Sequence, residues 1–214
     1  MFDLSSRIGQ IKRGFDVFRQ VCINCHSLKL FKLMNMCGIG YTPKQASLLV
    51  KRYRLIDYFK LPYKSNLQAK QLNNGVIPPD LSLITKYRSF QWIYNVLTGY
   101  NSPLIRNESN LYHNEGLEQG WTAMRPPLAY WCVKNSFNAP HSVHQYSQDV
   151  IRFLDWVSEP WIDIRDKLIL PILGSLSIAG LMLSNSLLLK TTKKGIWKHI
   201  ITSFPFKSFE NYCN

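Results

Sequence analysis

Apolar side chains recur at steps of three and four at the start of the chain. Ile8, Ile11, Phe15, Phe18, Cys22 and Cys25 fall on one face of a predicted α-helix. Thr42-Pro43 predicts a second helix start, a capping hydroxyl followed by proline at the first helical position, with Ala46, Leu49, Val50 and Tyr53 on the apolar side. Asp80 reads as the cap of a helix bearing Leu81, Ile84 and Tyr87. Phe90 to Leu97 predicts another, closed by Gly99. Ser147 reads as the cap of SQDVIRFLDWVSE, which turns Val150, Leu154 and Val157 inward and stops at Pro160. No segment sustains strict alternation, so the expectation is a mostly α head with long loops between Asn101 and His144.

The pattern changes at Leu168. Residues 168–189 read LILPILGSLSIAGLMLSNSLLL, 22 residues without a formal charge. At about 1.5 Å per residue, a helix of that length crosses a hydrocarbon core of roughly 30 Å. Its serines can bond back to the helix backbone, Asn185 lies near the end, and Pro171 is expected in the first turn. Lys190, Lys193, Lys194 and Lys198 follow, whereas Asp163, Arg165, Asp166 and Lys167 cancel before it. The positive-inside rule then puts the tail in the matrix or cytoplasm, with Trp161 and Trp197 at the two interfaces. Three parts are expected: a head at 1–167, a transmembrane anchor at 168–189 and a short basic tail at 190–214. Met1 opens MFDLSSRIGQ, without the apolar run of a signal peptide, so an exported head needs a targeting device that was removed or is internal.

Composition narrows the class. The chain has 214 residues and a net charge of +13, from 26 Lys+Arg against 13 Asp+Glu. The 46% apolar share excludes a disordered chain, and five scattered cysteines exclude a disulfide scaffold. Residues 1–70 alone carry 13 basic and 3 acidic side chains. Such a balance points to an anionic partner without choosing among nucleic acid, a lipid surface and an acidic protein.

Cys22-Ile23-Asn24-Cys25-His26 is the C-x-x-C-H pattern of covalent c-type haem attachment. Cysteines three apart reach both vinyl groups of one porphyrin edge, and the adjacent His26 presents an imidazole to the iron. A zinc site would need a second pair of ligands nearby. Cys37, Cys132 and Cys213 stand isolated, and no cysteine pair lies near His141 and His144. A thioether opposite the histidine would complete the ligation. Met34, Met36 and Met124 are the candidates. Met124 is favoured because Trp121-Thr122-Ala123-Met124-Arg125-Pro126-Pro127 is a distant loop stiffened by two prolines.

With these residues in view, the sequence resembles the cytochrome c1 family of the quinol–cytochrome c reductase (cytochrome bc1) complex. The resemblance runs from Lys12-Arg13-Gly14-Phe15-Asp16-Val17-Phe18 through VCINCHSL, Leu55-Ile56-Asp57-Tyr58-Phe59 and the block Asn73-Asn74-Gly75-Val76-Ile77-Pro78-Pro79-Asp80-Leu81-Ser82. It continues with Leu97-Thr98-Gly99-Tyr100, Ala123-Met124-Arg125-Pro126-Pro127, and Asp149 to Trp156 ahead of Ser158-Glu159-Pro160. It implies one covalent haem c held by Cys22 and Cys25, with His26 as proximal and Met124 as distal ligand. Arg88 is implied near a haem propionate, and Pro78 to Ser82 along the haem pocket.

The implied fold is a cytochrome-c-like haem-binding head with long loops and one C-terminal transmembrane helix. The implied function is electron transfer from the Rieske iron–sulfur protein to a soluble cytochrome c. The chain would be an electron carrier by itself, and an enzyme only within the quinol–cytochrome c reductase. Expected partners are cytochrome b, the Rieske protein, soluble cytochrome c, other complex subunits and membrane lipid, in a dimeric complex and without nucleic acid. The expected location is the mitochondrial inner membrane with the head in the intermembrane space; the alternative is a bacterial inner membrane with a periplasmic head. Two other readings compete. One is a membrane-anchored monohaem cytochrome donating directly to an oxidase. The other is a basic tethered binding protein with a zinc half-site, which leaves Met124-Arg125-Pro126-Pro127 unexplained. One departure stands out. Lys51, Arg52, Arg54, Lys60 and Lys64 precede the pocket block where family members often carry acidic stretches, and like charges repel a basic carrier.

Overall fold

In the computed structural model, which describes residues 4–51, 53–134, 139–160 and 162–188, the N-terminal apolar stripe forms α1 (Leu4–Gln20). A turn of 3-10 helix follows at Cys22–Asn24, so the cysteine pair lies just past the helix rather than on it. The chain then runs through β1 (Leu28–Lys32), a 3-10 segment (Leu33–Ile39), α2 (Pro43–Leu49), β2 (Tyr58–Phe59) and α3 (Asn66–Leu72). Next come α4 (Ile84–Tyr87), α5 (Phe90–Thr98), β3 (Tyr112–His113), β4 (Trp121–Thr122) and α6 (Val143–Ser158). The mostly helical expectation holds. The two small antiparallel ribbons, β1–β2 and β3–β4, were not foreseen, because strands this short show no alternation long enough to recognise.

The main packing joins α1 to α6. Ile11, Phe15 and Phe18 from α1 are buried against Val150, Phe153, Leu154 and Val157 from α6. The Phe153 ring lies 5.5 Å from Phe15, 5.6 Å from Phe18 and 6.0 Å from Phe31 of β1. Edge and tilted ring contacts of this kind add to the burial itself. The helices approach so closely at Gly14 that a Cβ there would run into the Asp149 carbonyl and the Phe153 Cβ. One residue earlier, Arg13 clamps the Asp149 carboxylate with two hydrogen bonds of 2.9 and 3.0 Å.

Helix starts follow their caps. Thr42 and Gln45 form the reciprocal box at α2, and Ser89 caps α5. Two expectations need correction. α6 begins earlier than Ser147: Ser142 is its cap, and Ser147 is buried inside the helix with its hydroxyl on the Val143 carbonyl. Asp80 does not cap a helix. α4 starts only at Ile84, because the Asp80 carboxylate is engaged by Ser27 and the Lys29 amide.

Residues 161–214 form a second unit. Here α7 (Ile162–Leu188) has 27 residues. Pro171, expected in the first turn, lies inside it because the helix begins at Ile162. Leu168, Ile172, Leu173, Leu176, Ile178, Leu181 and Met182 are all exposed, on every side of the helix. Ser175 and Ser177 bond back to the Ile172 and Leu173 carbonyls, as expected of serines in apolar surroundings. Among the described residues, no helix is long and apolar enough to cross a membrane. The side chains of 162–167, 170 and 183–188 lie outside the described residues, as do residue 161 and the tail from 189. The expected anchor is therefore only partly described, and the basic tail and both flanking tryptophans not at all.

The α1–α6 crossing makes a direct prediction. Gly14→Ala should destabilise the head by about 1–3 kcal/mol or more, the usual cost of overpacking. Thermal unfolding should show a Tm lowered by several degrees, while Gly9→Ala, which meets only the tip of Arg13, leaves it nearly unchanged.

Candidate functional site

The turn after α1 is fixed from both sides. Asn24 Nδ2 donates to the Gln20 and Val21 carbonyls at 3.0 and 3.2 Å, satisfying acceptors at the helix end. The Gln20 amide pairs with both backbone groups of Lys134, at 2.8 and 2.9 Å. Ile23 is buried and acts as the anchor, while Cys22, Cys25 and His26 are half-buried. The amides of Cys25 and His26 both return to the Cys22 carbonyl, at 3.1 and 2.9 Å. The turn therefore gathers the two thiols and the imidazole within five residues.

The imidazole has a defined orientation. His26 Nδ1 lies 2.8 Å from the Pro79 carbonyl oxygen. A carbonyl only accepts, so Nδ1 carries the proton and Nε2 keeps a free lone pair. Burial lowers the His26 pKa, favouring the neutral ring that ligates metal. Burial also pushes the Cys22 thiol up to about 12, and the neighbouring Cys25 adds to the shift.

Pro79 is held in place by its neighbours. Ser27 Oγ donates to Asp80 Oδ2 at 2.6 Å, and the Lys29 amide donates to the same oxygen at 2.8 Å. The Ser82 amide donates to Asp80 Oδ1 at 3.0 Å, the Leu30 amide to Ser82 Oγ at 3.1 Å, and the Leu81 amide to the Ser27 carbonyl at 3.0 Å. Partial burial would raise the Asp80 pKa, but these donors overcome it and hold the carboxyl below its usual value. The Pro-Pro-Asp-Leu-Ser block is thus strapped along the segment that follows His26.

Further bonds tie the Met124 loop to this block. Asn74, at φ +50°, donates through Nδ2 to the Ala123 and Asn110 carbonyls at 3.2 Å each. Tyr100 Oη donates to the Met124 carbonyl at 2.9 Å, and the Met124 amide donates to Thr122 Oγ1 at 3.2 Å. Met124 is half-buried. Of the other methionines considered, Met36 is fully buried in the apolar core and Met34 points outward at 40% exposure. Arg88 is exposed on the α4–α5 link with its guanidinium 4.7 Å over the Trp92 ring, and none of these bonds reaches it. A cleft of about 340 Å³ lined by Gln10, Phe90, Tyr94 and Arg152 contains none of the five expected site residues.

Sequence reasoning missed the supporting residues. Tyr63 donates to Asn73 Oδ1 at 3.3 Å, and burial together with the Cys25 thiol beside it raises its pKa. Tyr100, pushed upward by burial, backs the Met124 loop. Neither tyrosine sits in a periodic or spaced pattern. Each abuts a turn residue, Pro62 and Gly99, and Tyr100 also closes the Leu97-Thr98-Gly99-Tyr100 motif of the resemblance, which does not say what it would touch.

The residues present fit a c-type haem. Two thiols three apart adjoin an imidazole whose free nitrogen is Nε2, and a methionine loop is tethered to Asn74, just ahead of the strap. The strap can be tested directly. Asp80→Ala should cost about 1.5–3 kcal/mol, the range for hydrogen bonds to a charged acceptor. Because the folded carboxyl lies below its unfolded value of about 3.9, its stabilisation is complete above that pH and is lost as pH falls through the folded value. Urea unfolding should therefore separate the parent from Asp80→Ala at pH 7, with the gap closing in strong acid.

A family model described as the Cytochrome C1 family matches residues 5–57 and 49–200. The Euglena gracilis protein named cytochrome c1, heme protein, is 33% identical over 179 residues, 74% of this chain and 74% of the relative. The mitochondrial cytochrome c1, heme protein, of Schizosaccharomyces pombe is 31% identical over 78% of this chain and 62% of its own length. A Candida albicans protein named cytochrome b-c1 complex catalytic subunit, mitochondrial, is 34% identical over 73% of this chain and 62% of its own length. The chain thus spans less than two thirds of the S. pombe and C. albicans relatives. On the family match and these identities, the chain belongs to the cytochrome c1 family.

Proposed function

We propose that this chain is the haem-bearing electron-transfer subunit of a mitochondrial cytochrome bc1 complex. It would take electrons from the Rieske iron–sulfur protein and pass them to a soluble cytochrome c during quinol oxidation. The observation that carries this reading is the Cys22–His26 turn with the His26 Nδ1 proton committed to the Pro79 carbonyl. Haem c, when bound, supplies an iron that cycles between ferrous and ferric states.

The chain's own residues do the rest. Cys22 and Cys25 attach the porphyrin through thioethers, so the group cannot dissociate between turnovers. His26 offers Nε2 as proximal ligand, and its bond to Pro79 keeps the ring from rotating and makes it a better donor. Met124 supplies the distal thioether, which favours the ferrous state, and the tethers at Asn74 and Tyr100 hold its loop. Arg88 is the propionate partner in this reading. Met36 is unsuited to the distal position because the core already encloses it. No side chain performs bond chemistry: the head sets potential, distance and docking.

α7 anchors the head in this reading. Its described side chains expose apolar groups on every side, a surface that hydrocarbon would cover. The uncharged 168–189 stretch spans the inner membrane, the lysines after it stay in the matrix, and the head at 1–167 faces the intermembrane space. The mitochondrial names of the S. pombe and C. albicans relatives support that location. Cytochrome b, the Rieske protein and further subunits are the partners in the membrane, and the complex is a dimer.

Two measurements test this. Acid–acetone extraction should leave the haem on the denatured chain, and extraction of all of it would sink the covalent assignment. Met124→Leu keeps the side-chain volume but removes the thioether. The potential should fall sharply, and the oxidised protein should lose its weak sulfur-to-iron absorption band. An intact band in that variant would transfer the ligand role to Met34.

A further inference from the structure

We infer that the outer face of the β1–β2 ribbon is a docking surface for an acidic face of another, stationary polypeptide of the assembly; this rests on the reading of the chain as a complex subunit. The ribbon has two unlike sides. Phe31, Leu33 and Phe59 point inward and are fully buried. Leu30 of β1 and Met34 just after it, with Tyr58 of β2 and Ile56 just before it, are exposed at 66%, 40%, 41% and 62%. The two segments run alongside each other: Lys32 pairs with Tyr58 across the ribbon, and the Met34 amide donates to the Leu55 carbonyl at 2.9 Å.

Cations surround these apolar groups. Lys29 and Lys60 are exposed, the Lys32 ammonium sits 5.0 Å over the Tyr58 ring, and Lys51 and Arg54 flank the approach to β2. Asp57 is the only acidic residue between positions 17 and 79. Its carboxylate is taken by the Arg54 guanidinium at 3.1 Å and the Arg54 amide at 3.0 Å. Asp80 also lies against β1, bonded to the Lys29 amide at 2.8 Å. Lys29, Lys32, Lys51, Arg54 and Lys60 outnumber these two carboxylates, so the patch keeps a positive excess.

Two physical points select the occupant. An apolar centre with a charged rim is the anatomy of a protein interface, and Lys and Arg on that rim select carboxylates and repel cationic partners. Exposed apolar groups on a short ribbon are a liability unless they stay covered, which favours a permanent neighbour over a passing carrier. A lipid surface suits the patch less well. The apolar groups are interleaved with lysines along two strands, whereas interfacial segments present a separate apolar face, often bearing Trp or Phe.

The experiment uses the intact detergent-purified complex, with its haem spectrum recorded first. Acylation of lysines is followed by mass spectrometry, comparing Lys29 and Lys60 with the exposed Lys44 and Lys70. The expected result is several-fold slower labelling of Lys29 and Lys60, together with a carbodiimide cross-link from either to an Asp or Glu of another chain. Labelling as fast as at Lys44 and Lys70 would show a solvated face and overturn the inference. Protection without any such cross-link would also overturn it, because lipid or this chain's own residues then cover the lysines. Lys29→Glu combined with Lys60→Glu should release the cross-linked chain while the haem spectrum stays unchanged. A preparation without haem would instead sink the subunit reading, which keeps the two failures distinct.

Discussion

The 2.8 Å contact between His26 Nδ1 and the Pro79 carbonyl governs the functional half of this structure. A histidine on a short turn can present either ring nitrogen. Only an acceptor fixed in space chooses between them, and here the acceptor comes from 53 residues away. A backbone carbonyl at that separation has to be brought back and held. The Asp80 carboxylate does this by gathering the Ser27 hydroxyl and the Lys29 and Ser82 amides around itself. Closing so long a loop costs entropy that rises only slowly with length, so a few charge-assisted hydrogen bonds suffice to offset it. One carboxylate thereby orients a ring that it does not touch.

The strap in turn depends on the helix pair behind it. α1 delivers the turn only where Gly14 lets α6 approach and Arg13 meets Asp149. The aromatic rings around Phe153 then join α1 and α6 to β1, the segment to which Asp80 is bonded. Met124 belongs to the same construction at one remove. Its loop is attached to Asn74, which precedes the strap, and to Tyr100, which follows α5. The two proposed ligands are thus referred to a common piece of backbone, although 98 positions separate them in the chain.

This division explains what could be read from the sequence. The α1 stripe as far as Phe18, the Thr42-Pro43 start and the Phe90–Leu97 helix closed by Gly99 depend on neighbours within a turn or two, and each appears where expected. Cys22, Cys25 and His26 form a recognisable pattern because the haem attachment proposed for them requires a fixed local spacing. Asp80 was misread because the same residue type caps helices and closes long-range networks, and only the folded chain shows that Ser27 reaches it first. Ser147 was misread for a related reason: a serine inside a helix can satisfy its hydroxyl on the preceding turn and still resemble a cap. Tyr63, Tyr100 and the two ribbons owe their roles to partners eight or more residues away, beyond the reach of helical or strand periodicity.

The same accounting bears on charge. Asp16, Asp57, Asp149, Asp155 and Glu159 each meet an arginine or lysine of this chain, and Asp80 is enclosed by its donors. Among the described residues, folding therefore uses most of the scarce carboxylates internally, and of the lysines before position 100 an ion pair holds Lys86. Glu108, Glu115 and Glu118 remain exposed, all in the loop between Asn101 and Trp121. The surface potential is consequently divided, with a small acidic region on the loop that leads to Met124 and a broad basic region around the β1–β2 ribbon. In the proposed reading, a basic electron carrier would be drawn to the first and turned away from the second, so local placement of charge would matter more than the net +13.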